Sequence, residues 1–183
     1  MLTVLGSIAV QQSKGMDKTY ADTLWLLNYA ATHPNAKIRY TASNMILYIH
    51  SDASYLSEPQ PCRRAGGHYL LGDKRPDMTT PPTNRPHLNG PIHSISQIMS
   101  NLMGSAAKTE IGAAYINGQE AVTIRTLLRE LGHPQPATPI QVDNSTDDGF
   151  ANDIIKQKRS KAIDMRFYWI RDRTSQSQFL VYW

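Results

Sequence analysis

Apolar residues along this chain recur at two spacings, one typical of helices and one typical of strands. Helical spacing predicts an amphipathic helix over 17–32, with an apolar stripe at Tyr20, Leu24, Leu27 and Ala31. Dense or alternating apolar runs predict five strands, at 44–52, 64–72, 92–98, 139–143 and 178–183. Four more helices are predicted between the later strands, at 105–117, 118–131, 145–153 and 160–172.

The order of these elements predicts the fold class. Three successive strands form an antiparallel meander, and a strand that follows a helical crossover returns beside the first strand in the parallel sense. We therefore expect an α/β fold, a mixed five-stranded sheet with helices packed on it. In that arrangement the strands 44–52 and 139–143 are parallel neighbours, so their carboxyl ends meet at one edge of the sheet.

Composition narrows the class of protein. The chain has 183 residues, of which 40% are hydrophobic and 19% charged, as is typical of a globular protein that buries a core. Its single cysteine, Cys62, excludes an internal disulfide framework and zinc sites built from paired cysteines, and it favours a reducing compartment. The apolar start at 2–10 is too short to span a membrane, so we expect no membrane partner.

Positive charge is concentrated near the end of the chain. The formal net charge is +4, yet residues 156–173 alone carry seven basic side chains against two acidic ones. The basic residues are Lys156, Lys158, Arg159, Lys161, Arg166, Arg171 and Arg173. At this point two interpretations are open, a surface that contacts phosphates and a solvated helix face.

Three acidic residues fall at positions where the predicted fold brings them together. Asp52 and Asp143 end the two parallel strands, and Glu110 lies in a small, apolar helical segment that can cross beneath them. Carboxylates without histidine or thiolate suit Mg²⁺ or Mn²⁺, and two such ions can clamp the attacking water and the leaving oxygen of a phosphodiester. The alternative is that the aspartates only end their strands and that Glu110 is solvated.

Four short segments occur in a defined order along the chain. They are S-D-A-S-Y at 51–55, S-A-A-K-T-E at 105–110, V-D-N-S at 142–145 and R-S-K-A-I-D-M-R-F at 159–167. Together they resemble the ribonuclease H domain of copia-type retrotransposon polyproteins. The resemblance covers 44–183, and residues 1–43 resemble the end of the reverse transcriptase region that precedes that domain.

The resemblance implies a ribonuclease H-like fold and a metal-dependent endonuclease that hydrolyses RNA in RNA–DNA hybrids with two Mg²⁺ or Mn²⁺ ions. Asp52 would bridge both ions, Asp143 would hold the ion that activates water, and Glu110 would fix the other ion. The residues expected to contact the hybrid are Ser54, Asn144, Lys158, Arg159, Lys161 and Arg166. The resemblance also implies a second partner, the reverse transcriptase in the rest of the polyprotein, and an intracellular location in a retroelement particle or the nucleus.

The chain departs from the family pattern at its end. Related domains carry a fourth metal-binding acid on a helix after the last strand, whereas these 183 residues stop within that strand. We therefore expect a C-terminally truncated domain with the last helix missing, in which Asp164 is the nearest alternative metal ligand. Two other interpretations stay open, a catalytically inactive domain that binds or tethers nucleic acid and a fragment with no activity of its own.

Overall fold

A computed structural model of the chain describes residues 2–11, 15–54, 63–75, 87–99, 106–143 and 165–182. The chain divides into two compact units, Met1–Arg39 and Tyr40–Trp183. The assignment of residues 1–43 to the end of a reverse transcriptase region, and of residues 44–183 to a ribonuclease H-like domain, stays a prediction.

The first unit contains two helices, α1 (Leu2–Gln11) and α2 (Asp17–Thr32). The bounds predicted for α2 are confirmed, but its predicted apolar stripe is wrong, because Tyr20 and Leu27 are 68% and 59% exposed whereas Leu26 is buried. In this unit α2 packs on α1, and the Thr19 hydroxyl donates to Gln11 Oε1 at 2.7 Å. Within this unit α1 covers only a narrow strip of α2, so most apolar side chains of α2 are not covered by α1.

The second unit is built on a mixed five-stranded sheet. Its strands are β1 (Ile46–Ser54), β2 (Arg63–Gly72), β3 (Leu88–Met99), β4 (Thr138–Gln141) and β5 (Phe179–Tyr182). Their spatial order is β3-β2-β1-β4-β5, with antiparallel pairs β1–β2 and β2–β3 and parallel pairs β1–β4 and β4–β5. The predicted fold class, an α/β mixed five-stranded sheet, is confirmed.

Several strand boundaries differ from those predicted, and three of the differences concern Pro91, Asp52 and Asp143. β3 starts at Leu88 and includes Pro91, which is tolerated because β3 is an edge strand and its pairing with β2 shifts register nearby. β1 continues to Ser54, so Asp52 lies within the strand instead of ending it. β4 stops at Gln141, so Asp143 follows the strand.

Two helices of the second unit complete the described structure, α3 (Ala106–Glu130) and α4 (Met165–Ser175). The prediction of two helices that meet at residues 117 and 118 is wrong, because α3 is continuous there. Asn117 directs its amide to the sheet instead of competing for the backbone of its own helix. Gly118 stays helical because α4 packs closely on it, such that an added Cβ would lie 3.0 Å from both Trp169 and Ile170.

Some predicted elements lie outside the described residues, namely the helix at 145–153, the first part of the helix at 160–172 and residue 183. Among the described residues, no helix is both long and apolar enough to cross a membrane.

The core of the second unit forms where α3 and α4 pack on the sheet. Its buried members are Leu47, Ile49, Tyr69, Leu71, Ala114, Ala121, Leu128, Ile140, Val142, Ile170, Phe179 and Val181. On α3 the buried positions Ala114, Ala121 and Leu128 repeat every seven residues, so they share one helix face. Glu110 and Asn117 fall on that same face, since they precede Ala114 and Ala121 by four residues. The face of α3 that builds the core therefore also carries two polar side chains to the sheet.

Candidate metal centre

Asp52 and Asp143 lie close together because β1 and β4 are parallel neighbours. His50 on β1 is paired with Gln141 on β4, and each aspartate follows two residues further along its own chain segment. Asp52 is also held on its other side, where it is the strand partner of Gly66 on β2. Both aspartates are exposed. The parallel register thus places two carboxylates side by side at the carboxyl edge of the sheet.

Side-chain hydrogen bonds near the start of β1 fix this register. The side chain of Gln135, in the segment before β4, accepts a hydrogen bond from the Leu47 N–H at 3.0 Å. The same side chain donates to the Met45 carbonyl at 2.8 Å. Gln135 therefore ties the segment that leads into β4 to the backbone at the start of β1.

Glu110 reaches the two aspartates from α3. It lies near the N-terminal end of that helix and is 8% exposed, whereas Asp52 and Asp143 are open to solvent. One carboxylate oxygen from each of the three residues lies within 4.8 Å of the other two. The structure thus brings together the three acids that the sequence singled out.

The donor set fits a hard divalent cation. All three groups are carboxylates, which Mg²⁺, Mn²⁺ and Ca²⁺ prefer, whereas structural zinc sites usually contain cysteine or histidine. Negative charges on carboxylates at this separation repel one another, and a bound cation would remove that repulsion. Among the described residues, Asp52 and Asp143 form the exposed side of this cluster and Glu110 its inner side.

A pair of histidines lies on the strands beside the acids. His50 and His68 are directly opposed on β1 and β2, and His68 Nδ1 is 2.8 Å from the Ser94 hydroxyl on β3. Burial, together with the nearby His68, lowers the pKa of the His50 imidazole. His50 is therefore neutral at neutral pH and adds no positive charge next to Asp52.

Asn117 is a residue near the candidate metal centre that the sequence analysis missed. It is fully buried on the face of α3 that carries Glu110, and its amide bonds to Ser51 and to the Gly66 carbonyl. A signal for it exists in the sequence, because Asn117 comes seven residues after Glu110 and therefore falls on the same helix face. The sequence pattern predicts a helix end at that position instead.

The residues predicted to contact nucleic acid are only partly described. Ser54 is half-buried at the end of β1, and Arg166 lies in the first turn of α4. The others, which lie outside the described residues, are Asn144, Lys158, Arg159 and Lys161. The alternative ligand Asp164 also lies outside them. These contacts therefore stay predictions.

Arg173, the last residue of the basic stretch, has a structural role. Its guanidinium lies 5.1 Å from the centre of the Trp169 ring and donates to Gln178 Oε1 at 3.0 Å. These contacts stabilise the turn between α4 and β5. Within the described part of the stretch, Arg173 therefore supports the fold.

Comparisons with known proteins yield matches only among solved structures. No family model matches the sequence, and neither does a curated protein. The solution structure of the PFV RNase H domain is similar over 74% of this chain and 76% of that one, with 16% identity and a TM-score of 0.43. The crystal structure of the prototype foamy virus protease-reverse transcriptase is similar over 74% of this chain, with 14% identity and a TM-score of 0.38. This chain spans 16% of the length of that second chain.

Proposed function

We propose that this chain is the ribonuclease H domain of a copia-type retroelement polyprotein, an endonuclease that hydrolyses the RNA strand of RNA–DNA hybrids with divalent metal ions. The observation that carries the proposal is the convergence of Asp52, Glu110 and Asp143, whose carboxylate oxygens lie within 4.8 Å of one another. These are the three acids at which the sequence resembles that family. The proposal therefore joins an independent geometric result to the motif resemblance.

The reaction is the addition of water across a phosphodiester. The oxygen of water forms a bond to phosphorus, the bond from phosphorus to the leaving sugar oxygen breaks, and that oxygen takes up a proton. Bound Mg²⁺ or Mn²⁺ would supply the charge that activates the water and stabilises the leaving oxygen. In this chain Asp52, Glu110 and Asp143 would hold the ions, and the motif resemblance gives Asp52 the central role among them.

The different exposure of the three acids supports distinct roles. Asp52 and Asp143 face solvent, where a hybrid backbone and a water molecule have access, whereas Glu110 is almost buried. A buried carboxylate held on a packed helix keeps its position without a substrate, so Glu110 preorganises the site. By the motif resemblance, Asp143, just beyond β4, would hold the ion that activates the attacking water.

The RNA–DNA hybrid is the proposed substrate on the strength of the motif resemblance and of the basic stretch at 156–173. The basic side chains of that stretch other than Arg173 suit a polyanionic backbone, and their contribution would weaken with salt. Discrimination between RNA and DNA requires contacts to the 2′-hydroxyl, for which Ser54 and Asn144 are the candidates. The reverse transcriptase in the rest of the polyprotein is the proposed covalent partner.

The proposal is tested by incubating the 183-residue chain with end-labelled RNA–DNA hybrid in Mg²⁺ and, separately, in Mn²⁺. Matched RNA–RNA, DNA–DNA and single-stranded RNA substrates test selectivity. We expect cuts in the RNA strand of the hybrid, none after chelation with EDTA, and none with Asp143→Asn. Because Asp143→Asn replaces a direct ligand, the rate should fall by more than the roughly 10–100-fold typical of outer-shell partners.

Two results would contradict the proposal. Cleavage that persists in EDTA, or in the Asp143→Asn variant, would separate the activity from the acidic cluster. Tight, salt-dependent binding of the hybrid without any cleavage in either metal would instead support a domain that only binds or tethers nucleic acid.

A further inference from the structure

The interior of the second unit contains a polar side chain, Asn117, that no step of the proposed reaction uses. It lies in the middle of α3, and its side chain is fully buried. A buried amide costs free energy unless its hydrogen-bonding groups find partners, a cost that an apolar side chain does not carry. The neighbours of Asn117 on the same stripe are indeed alanines, Ala114 and Ala121.

Every polar group of the Asn117 amide has a partner on the sheet. Nδ2 donates to the Ser51 hydroxyl and to the Gly66 carbonyl, both at 2.9 Å. Oδ1 accepts a hydrogen bond from the Tyr69 hydroxyl at 2.9 Å. The Gly66 carbonyl can only accept a hydrogen bond, so the amide atom that faces it must be the donor Nδ2. The side chain is therefore locked in one orientation across β1 and β2.

Two of these partners flank Asp52. Ser51 precedes it in β1, and Gly66 is its strand partner on β2. On the helix side, Asn117 shares the sheet-facing stripe of α3 with Glu110, two turns away. The amide thus connects the backbone that carries Asp52 with the helix that carries Glu110.

We propose that Asn117 is a positioning residue of the metal centre, which sets the separation of the Glu110 and Asp52 carboxylates by fixing the register of α3 on β1 and β2. A slide of α3 by one residue moves it about 1.5 Å along its axis and leaves the amide and its partners unsatisfied. Alanine and leucine contacts tolerate such a slide far better. This inference rests on the proposed function, since it assigns a purpose to Asn117 only if the three acids bind metal.

The test measures metal affinity and stability separately, in the full chain. Mn²⁺ binding is followed by loss of the free-ion signal in electron paramagnetic resonance, and the melting temperature is recorded in EDTA. Asn117→Leu keeps the branched shape and the number of heavy atoms of the side chain and removes its hydrogen bonds. Leu128→Ala is the matched control, because it weakens the same stripe of α3 at a site three turns from Asn117.

We expect Asn117→Leu to weaken Mn²⁺ binding by roughly 10–100-fold, the range for residues that orient metal ligands. Leu128→Ala should lower the melting temperature at least as much as Asn117→Leu does, but it should change the Mn²⁺ affinity less than about twofold. A purely structural role for Asn117 would not produce this difference between the two variants. Ser51→Ala removes one hydrogen bond of the amide without disturbing α3 and should weaken binding by a smaller factor. That variant decides the question if Asn117→Leu does not fold.

Three outcomes are distinguishable. Wild-type Mn²⁺ affinity in both Asn117→Leu and Ser51→Ala overturns the positioning role and leaves the proposed function intact. Equal losses of affinity in Asn117→Leu and Leu128→Ala also overturn it, because the effect would then follow stability. Failure of the wild-type chain to bind Mn²⁺ overturns the proposed function itself.

Discussion

Asp52 and Asp143 occupy equivalent places on two parallel segments, each two residues beyond the paired residues His50 and Gln141. Their proximity therefore follows from backbone register, whatever rotamers their side chains adopt. Glu110 joins them from a helix whose packing on β1 and β2 is independent of that register. The candidate metal centre thus depends on two separate structural relationships, and each can be perturbed by itself.

Metal binding should stabilise the fold. A ligand that binds only the folded chain at a hundred times its Kd stabilises it by about 2.7 kcal/mol, which corresponds to a rise of roughly 5–10 °C in melting temperature for a chain of this size. We expect such a rise when Mg²⁺ or Mn²⁺ replaces EDTA, measured by circular dichroism. Asp52→Asn should abolish the rise and melt no lower than the wild type in EDTA, since it relieves repulsion among the carboxylates.

The matched control for this experiment is Asp172→Asn, at an exposed acid on α4 outside the cluster. It should retain the full metal-dependent rise. A rise that survives Asp52→Asn would place the bound ion elsewhere.

Neighbouring glycines on β2 should respond differently to the same substitution. A Cβ at Gly67 would lie 1.9 Å from Asn117 Oδ1 and 2.7 Å from its Cγ, so the buried amide would have to leave its position. We expect Gly67→Ala to lower the free energy of unfolding by about 3 kcal/mol, from overpacking and lost hydrogen bonds. At Gly66 the nearest atom is the Asp52 carbonyl oxygen at 3.7 Å, an ordinary contact.

The free energy of unfolding of Gly66→Ala, measured in urea, should therefore stay within about 1 kcal/mol of the wild-type value. Equal losses of stability in the two variants would show that the Asn117 side chain does not occupy the space beside Gly67.

Gln135 should matter for stability because it completes hydrogen bonds at the start of β1. Gln135→Ala leaves the Leu47 N–H and the Met45 carbonyl without this partner. We expect a loss of about 1–3 kcal/mol in chemical denaturation. Gln119→Ala, which removes an exposed side-chain contact to Tyr115 within α3, should cost no more than about 0.5 kcal/mol. Equal costs would contradict the role given to Gln135.

The stability of the fold should depend on alkaline pH because Tyr48 is buried. Burial raises the pKa of Tyr48 to about 12, against 10.0 for an exposed tyrosine, although nearby Arg75 opposes the shift. Between these values the unfolded chain loses the proton first, so the stability that Tyr48 contributes is complete below pH 10 and declines as pH rises toward 12. Tyr48→Phe should make that decline less steep in melts recorded from pH 9 to 12. The exposed Tyr20→Phe is the control and should leave the decline unchanged.

Much of this architecture follows from the sequence because its signals are local. The apolar runs of β1 and β2 and the helical spacing over 17–32 need no knowledge of tertiary contacts. The closeness of Asp52 and Asp143 was predictable for a related reason, since parallel strands end at one edge of a sheet. The position of each aspartate, two residues beyond the paired His50 and Gln141, was not predictable, because strand ends depend on hydrogen bonds to neighbouring segments.

The failures involve residues whose conformation is decided by distant partners. Asn117 and Gly118 favour a helix end by their intrinsic propensities, yet contacts to Ser51, Gly66 and Trp169 keep α3 continuous. The predicted stripe of α2 is wrong for the same reason, because helical spacing shows that one face is apolar without showing how much of it is covered. In both cases packing overrides local pattern.

The most direct measurement of the central claim compares two identical substitutions on one helix. Glu110→Gln removes the carboxylate of α3 that joins the aspartates, while Glu120→Gln removes an exposed one about 15 Å further along the same helix. With end-labelled RNA–DNA hybrid and Mg²⁺, we predict that Glu110→Gln lowers the rate of RNA cleavage by more than 100-fold and that Glu120→Gln cleaves like the wild type. Equal rates in the two variants would contradict a three-carboxylate metal centre at the edge of this sheet.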